Sequence, residues 1–282
     1  MSKEEAWDLV LSGRKKLFAL RIGEVWRFRD LLAMLVRRDI VVLYKQTILG
    51  PIWFFIQPIL TALVYIIVFT RIAALSTGGA PPILFYLSGT ILWSYFQDSL
   101  NGTANTFVLN ANLFGKVYFP RIVVPISKIA AGLLKFLIQF SLFLAVFFVY
   151  AIRGLHFNTN SVLFLVPVFV AITGILGLGI GIILTSLTTK YRDLTFLIQF
   201  GVQLLMYGTP VVYPLSSVPD KYKAFFQLNP LTSVVEGFRY AFFGSASFDI
   251  QQLLISLTTS IVILILGIAV FNYVERDFMD TV

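Results

Sequence analysis

Few residues in this chain of 282 could carry chemistry. It holds one histidine, His156, and no cysteine. A His/Cys metal site therefore lacks ligands, and disulfide and thiol chemistry are excluded. Gly115-Lys116 has the outline of a phosphate-binding loop. However, Val117 stands where a Ser or Thr should hold Mg²⁺, and Asn110 stands where the first glycine belongs. ATP hydrolysis by that route is excluded. The carboxylates fall mostly at the termini and in connections, without the pairing that general acid–base catalysis needs. His156 reads as a solvated loop residue. The chain is expected to catalyse no covalent chemistry of its own.

Two charges stand out because they interrupt apolar runs, Asp98 and Lys135. An isolated charge at a membrane helix centre costs about 2.5–3.5 kcal/mol on insertion scales. Counting from the inner ends of two consecutive antiparallel spans, both residues fall about 15 Å above the same boundary. They can offset the cost by pairing, or each can face a wet cavity alone. The count favours facing positions and leaves both arrangements open.

The elements that must hold these groups are membrane helices. The chain is 58% hydrophobic and 13% charged, too little charge to cover a soluble domain. Apolar runs of spanning length recur. They predict six spans, at Ile52–Ile72, Leu84–Val108, Val124–Ile152, Val162–Leu187, Leu194–Val212 and Leu253–Tyr273. The second is interrupted by Ser94, Gln97, Asp98, Ser99, Asn101, Thr103 and Asn105, so it should face protein or water rather than lipid. Residues 1–50 form a cytoplasmic N-terminus with an interfacial helix, and residues 51–282 form the six-span membrane domain. The expected fold is all-α.

Net charge is +8, and its placement matters more than its sum. Lys3, Arg14, Lys15, Lys16, Arg21, Arg27, Arg29, Arg37, Arg38 and Lys45 crowd the first fifth. Lys116, Arg121, Lys128, Lys190, Arg192 and Arg276 fall on the same side of the predicted spans. Only Arg71, Arg153, Lys221, Lys223 and Arg239 fall on the other. The positive-inside rule places both termini in the cytoplasm, with the basic cluster against anionic lipid. No nucleic-acid-binding module surrounds the cluster, so nucleic acid is not an expected partner. Glu4, Glu5 and Asp8 among the early lysines argue against a cleavable signal peptide.

On a helical wheel Val25, Phe28, Leu31, Leu32, Leu35, Val36, Ile40 and Leu43 share one side of the segment Val25–Lys45. Arg29 and Asp39 break that face. The pattern predicts a basic amphipathic helix lying in the interface plane, ended at Gly50-Pro51. In the fourth span Gly177 and Gly181 form a small-xxx-small face for close helix packing. Between spans five and six, Tyr213–Ile250 is too polar to span and is divided by Pro214, Pro219 and Pro230. Short helices dipping back into the outer leaflet fit it, and so does an outer amphipathic loop. Trp53, Tyr65, Tyr86, Trp93 and Tyr95 serve packing and interfacial belts, or some of them line a pathway and stack on sugar rings.

The stretches LFGKVYFPRIVVPISKI (Leu113–Ile129), KYRDL (Lys190–Leu194), TPVVYPLSSVP (Thr209–Pro219) and LNPLTSVVEGFRYAFFG (Leu228–Gly244) carry a resemblance. The last is the most specific, and QPIL (Gln57–Leu60) adds to it. In these stretches and in span order, the chain resembles the membrane (permease) subunit of type-2 ABC exporters, in the polysaccharide and O-antigen lipopolysaccharide branch. The resemblance implies a homodimer with the channel between its protomers, in the bacterial inner membrane. It also implies two cytoplasmic nucleotide-binding ATPase subunits, which would carry the ATP and Mg, with no cofactor or metal on this chain. The substrate it implies is an undecaprenyl-diphosphate-linked glycan fed in reducing end first. Asn110–Tyr118 would include the coupling helix on the ATPase, with Asn112, Leu113, Phe114, Gly115, Lys116 and Tyr118 in it. Val218–Gly244 would hold the outer gate, with Phe225, Phe226, Glu236 and Arg239. Lipid diphosphate would meet Arg27, Arg29, Arg37, Arg38 or Lys45, because basic side chains pair with phosphate oxygens.

The same architecture serves teichoic acid and capsular polysaccharide, which remain alternatives. A secondary transporter would usually show repeated halves and coupling carboxylates, and a membrane glycosyltransferase would need catalytic groups. Neither pattern is found.

Overall fold

The computed structural model describes residues 22–45, 48–114, 119–188 and 193–277. Among them every regular element is helical. In chain order the α-helices are α1 (Ile22–Arg27), α2 (Arg29–Tyr44), α3 (Trp53–Tyr65), α4 (Pro82–Ala104), α5 (Thr106–Phe114), α6 (Val123–Ile152), α7 (Val166–Thr188), α8 (Leu194–Tyr207), α9 (Asp220–Gln227), α10 (Pro230–Phe243) and α11 (Ile250–Asp277). A 3-10 turn at Gly50–Ile52 leads into α3, and a π-helical run, Ile66–Ile72, continues it. Gly50 takes φ +53°, a left-handed conformation that suits glycine and turns the chain from α2 toward α3.

Four helical runs are long and apolar enough to cross a membrane: Gly50–Ile72, Val123–Ile152, Ser161–Thr188 and Ile250–Tyr273. The other two predicted spans differ for physical reasons. Helix α4 has 23 residues, enough to span, but it is the polar one. It sits at the centre of the bundle, with Leu84–Trp93 buried along its first half. Its main neighbours are α6 and α7. A polar helix belongs there, because hydroxyl and amide groups find partners in protein and none in hydrocarbon. Helix α8 has only 14 residues, about 21 Å at 1.5 Å per residue. Gly208 and Pro210 stop it well short of the predicted end at Val212.

The central position of α4 depends on glycines in α7. A Cβ at Gly177 would lie 2.7 Å from Ser99 Cβ, and one at Gly181 would lie 2.6 Å from Thr103 Cβ. Gly174 leaves room for the Tyr95 ring in the same way. A second face of α7 meets α11, where a Cβ at Gly179 would lie 2.8 Å from Leu264 N. Without Cβ atoms, these backbones approach closely and gain dispersion contact.

Helices α1 and α2 carry the amphipathic segment, with a break at Phe28. The apolar side faces protein in part. Leu35, with Val25, Phe28, Leu31 and Leu32, packs on Phe119, Val123 and Val124 at the start of α6. Trp26, Met34 and Val42 remain exposed and are free to enter the lipid interface.

Gly179→Val should destabilise the bundle by about 1–3 kcal/mol through overpacking, because the atom it meets is Leu264 backbone. Gly201→Ala, with nothing within 4 Å, should leave the melting temperature in detergent unchanged or slightly raised. Fluorescence-detected thermal unfolding of both variants checks the contrast.

Candidate functional site

The segment after α8 is held by one side chain. Gly208 and Pro210 break the helix, so backbone carbonyls here lose their helical partners. Inside a bilayer such groups must be satisfied by protein. Arg239, on α10, does this. Its Nη1 donates to Pro210 O at 2.6 Å, and its Nη2 donates to Val211 O at 2.6 Å. Longer contacts reach Phe85 O and Ser88 Oγ, each at 3.4 Å. The guanidinium carbon lies 3.6 Å from the Phe85 ring centroid, a cation–π geometry. Glu236, one turn earlier, accepts from Arg239 Nη1 and from Leu215 N, each at 3.4 Å. Both side chains are buried, at 1% and 5% exposure. Gly89 on α4 leaves the space, since a Cβ there would lie 2.8 Å from Val211 O and 2.9 Å from Arg239 Nη2.

Two asparagines finish the same region. Asn229 accepts from Leu231 N through Oδ1 and so caps α10. Its Nδ2 donates to Gly208 O and Thr209 Oγ1. Asn160 caps the 3-10 turn before α7 by accepting from Val162 N, and it donates to Tyr240 O near the end of α10. Helices α9 and α10 are therefore short, broken and tied to α4 and α7. Phe225 is exposed and Phe226 is half-buried against Tyr213. At the surface of α9, Lys223 lies 2.7 Å from Asp220 and holds that carboxyl below its usual range by hydrogen bond and charge.

In the middle of the bundle, Lys135 Nζ donates to Asp98 Oδ2 at 2.7 Å. The side chains are 17% and 39% exposed, so the pair opens onto the protomer surface.

Another ion pair ties α2 to α6. Asp39, the residue that broke the apolar face of α2, forms an ion pair with Lys128 of α6 at 2.8 Å and accepts from Arg38 at 2.9 Å. Arg38 Nη2 also donates to Asn110 Oδ1 at 3.3 Å. Asn110 has φ −119° and ψ 18°, a kink inside α5. The interfacial helix is thus bonded to α6 and to the kink of the segment proposed to couple. Sequence reasoning missed this role for Asp39, and the polar break in an amphipathic face was its signal.

Phe114 stacks on Phe119 with centroids 5.6 Å apart, lies 5.4 Å from Phe107, and has the Arg121 guanidinium 5.9 Å away. It is a packed residue at the end of α5, where Asn112 and Leu113 also lie. Gly115, Lys116 and Tyr118 fall outside the described residues, as do Lys190 and Arg192 of KYRDL.

Three of the five pathway aromatics lie where a glycan cannot touch them within the protomer. Tyr86, Trp93 and Tyr95 are buried in the core. Tyr86 bonds Thr70 at 2.9 Å, and Tyr95 fills the gap beside Gly132 and Gly174. Protein neighbours occupy the faces of these three rings within the described structure. Trp53, 45% exposed, and Tyr65, half-buried, retain accessible surface. All five basic candidates, Arg27, Arg29, Arg37, Arg38 and Lys45, are exposed, and Arg38 also bonds Asp39 and Asn110. No group of three metal-ligating side chains occurs among the described residues.

Comparison with known proteins agrees with this layout. The profile of the family described as "ABC-2 type transporter" matches residues 30–243. The O-antigen export system permease protein RfbA of Klebsiella pneumoniae is 29% identical over 251 residues, covering 89% of this chain and 94% of that protein. The O-antigen export system permease protein RfbA of Myxococcus xanthus is 28% identical over 263 residues, 93% of this chain and 98% of its own length. The polysialic acid transport protein KpsM of Escherichia coli is 26% identical over 246 residues, 86% and 93% of the two chains.

Arg239→Met should leave two backbone carbonyls and Glu236 unpaired, at about 1–3 kcal/mol for each buried group. Protease sensitivity between Gly208 and Leu215 should rise, and assembled yield should fall more than for Glu236→Gln. For the mid-membrane pair, Asp98→Asn and Lys135→Met should each lower thermal stability in detergent. The double variant should lose less than their sum, with a coupling of about 0.5–3 kcal/mol. Strict additivity would mean that the pair contributes nothing as a pair.

Proposed function

The chain belongs to the ABC-2 type transporter family, and on that premise we propose that it is the membrane subunit of an ATP-driven exporter of a lipid-linked O-antigen polysaccharide. It is a multi-pass membrane permease of helical fold. The observation that carries the substrate is the full-length likeness to O-antigen export permeases, at 29% identity over 89% of the chain. The capsule-type relative aligns over a similar length at lower identity, 26%, so capsular polysaccharide is the second reading.

The physical arrangement supports this reading. The sequence lacks the groups of an ATP-hydrolysing site, so a separate cytoplasmic ATPase must supply the work. Two copies of the chain would enclose the channel between them. Helix α5 and the residues that follow it would dock on the ATPase, and the bonds Arg38–Asn110 and Asp39–Lys128 would pass its movement to α2 and α6. Exposed Arg27, Arg29, Arg37 and Lys45 would meet the lipid diphosphate at the inner interface. The growing glycan would leave past α9 and α10, where Phe225 presents its ring. Both termini would lie in the cytoplasm.

Deletion of the chain should leave lipid-linked O-antigen on the cytoplasmic leaflet and remove it from the cell surface. Complementation should restore the surface glycan only together with an ATPase subunit able to hydrolyse ATP. The measurement is surface labelling with an O-antigen antibody beside extraction of the lipid-linked intermediate. Normal surface O-antigen in the deletion, with capsule lost instead, would favour the second reading. Phe114→Glu should cut export more steeply than it cuts co-purification with the ATPase.

A further inference from the structure

Three connections converge at one end of the bundle, between α3 and α4, between α8 and α9, and between α10 and α11. They enclose a cavity of about 320 Å³, at the low end of the roughly 300–1,000 Å³ found for small-molecule sites. We propose that this cavity binds a sugar unit of the emerging glycan, an inference that rests on the export reading above.

The lining is polar in a specific way. Glu236 and Arg239 are both in it. Arg239 has its strongest donations committed to Pro210 O and Val211 O, which leaves it little for an anion. Among the described residues, both hydrogen bonds to Glu236 go to Oε1. Its Oε2 takes part in neither, and Glu236 lines the cavity. That oxygen can accept from a donor that enters. The rim supplies complementary groups in Lys223, Gln227, Thr77, Ser216 and Ser245. One Lys223 proton serves Asp220, and an ammonium has two more. Gly244, at φ +66°, ends α10 in the left-handed conformation and turns the chain into Ser245–Ser247 on the cavity wall.

The chemistry selects the occupant. A buried carboxylate with a free oxygen repels phosphate and sulfate. One carboxylate is too few for a divalent cation. A ring of hydroxyls, an amide and an ammonium around an acceptor suits a ligand that both donates and accepts at several points, as a pyranose does. Weak single-unit binding at the exit would hold the leading segment outside and oppose backsliding, while still releasing it.

The chain is purified with its ATPase subunit in lipid nanodiscs. Delipidated O-polysaccharide from its own cells is added, and binding is read by saturation-transfer difference NMR. Ring protons of the glycan should receive saturation from wild type. Gln227→Ala and Glu236→Gln should weaken the signal at least tenfold, and Ser245→Trp should abolish it by filling the cavity. Gln227 and Ser245 lie outside the Arg239 network, so their variants report binding even where Glu236→Gln assembles poorly. Co-purification with the ATPase controls for assembly. No transfer to wild type, equal transfer to assembled Gln227→Ala and Ser245→Trp, or displacement of the glycan by polyphosphate would overturn the site. Surface O-antigen restored by wild type would leave the export reading standing when the site falls. Absence of that restoration would sink the export reading itself.

Discussion

A buried guanidinium sets one end of this helical bundle. The chain breaks a membrane helix at Gly208 and Pro210, and the broken backbone has no water to turn to. Arg239 answers with two bonds of 2.6 Å to the freed carbonyls. A lysine could not do the same, because its ammonium is compact and lacks the planar fork. The charge is then offset by Glu236 and by the face of Phe85. This arrangement lets a short α8, a turn and two short helices occupy a place where irregular backbone is tolerated only inside protein. Gly89 on α4 is part of the same solution, since any side chain there would meet Arg239 or Val211 O.

The rest of the bundle follows from where α4 has to go. Its hydroxyl and amide groups exclude it from lipid, so it must be surrounded. Glycines on α7 allow the approach from one side, and α6 covers another. Gly102 leaves room for the Lys128 stem, which would pass 3.3 Å from a Cβ there. Lys128 therefore reaches across α4 to Asp39 on the interfacial helix. Core packing and the inner ion network are one construction.

Much of this was legible in the sequence. Hydropathy located four runs long and apolar enough to cross a membrane, and the polar residues of the second predicted span placed it away from lipid. The depth count placed Asp98 opposite Lys135, and the two side chains lie 2.7 Å apart. Gly177 and Gly181 were readable as a close-packing face. The early end of α8 was less legible, because Pro210-Val211-Val212 remains apolar while leaving the helix. The aromatics were illegible for another reason. The polar residues of α4 say that the helix is surrounded by protein but not which rings pack there, so Tyr86, Trp93 and Tyr95 could not be told from Trp53. Asp39 was visible only as a flaw in an amphipathic pattern, and its partner lies 89 positions along the chain.

Three of the ion pairs among the described residues differ in exposure in a way that bears on motion. Glu236–Arg239 is sealed, with side chains 5% and 1% exposed. Separating it would leave backbone carbonyls and a buried carboxylate without their donor, which is strongly unfavourable. Asp98–Lys135 and Asp39–Lys128 are partly open, at 39% and 17% and at 12% and 19%. Their groups can exchange a protein partner for water at much lower cost. An Asp98 carboxylate this exposed cannot face hydrocarbon, so its side of α4 and α6 has to meet water or another polypeptide. The bundle thus combines a fixed frame at one end, around Arg239, with charges elsewhere that can change partners.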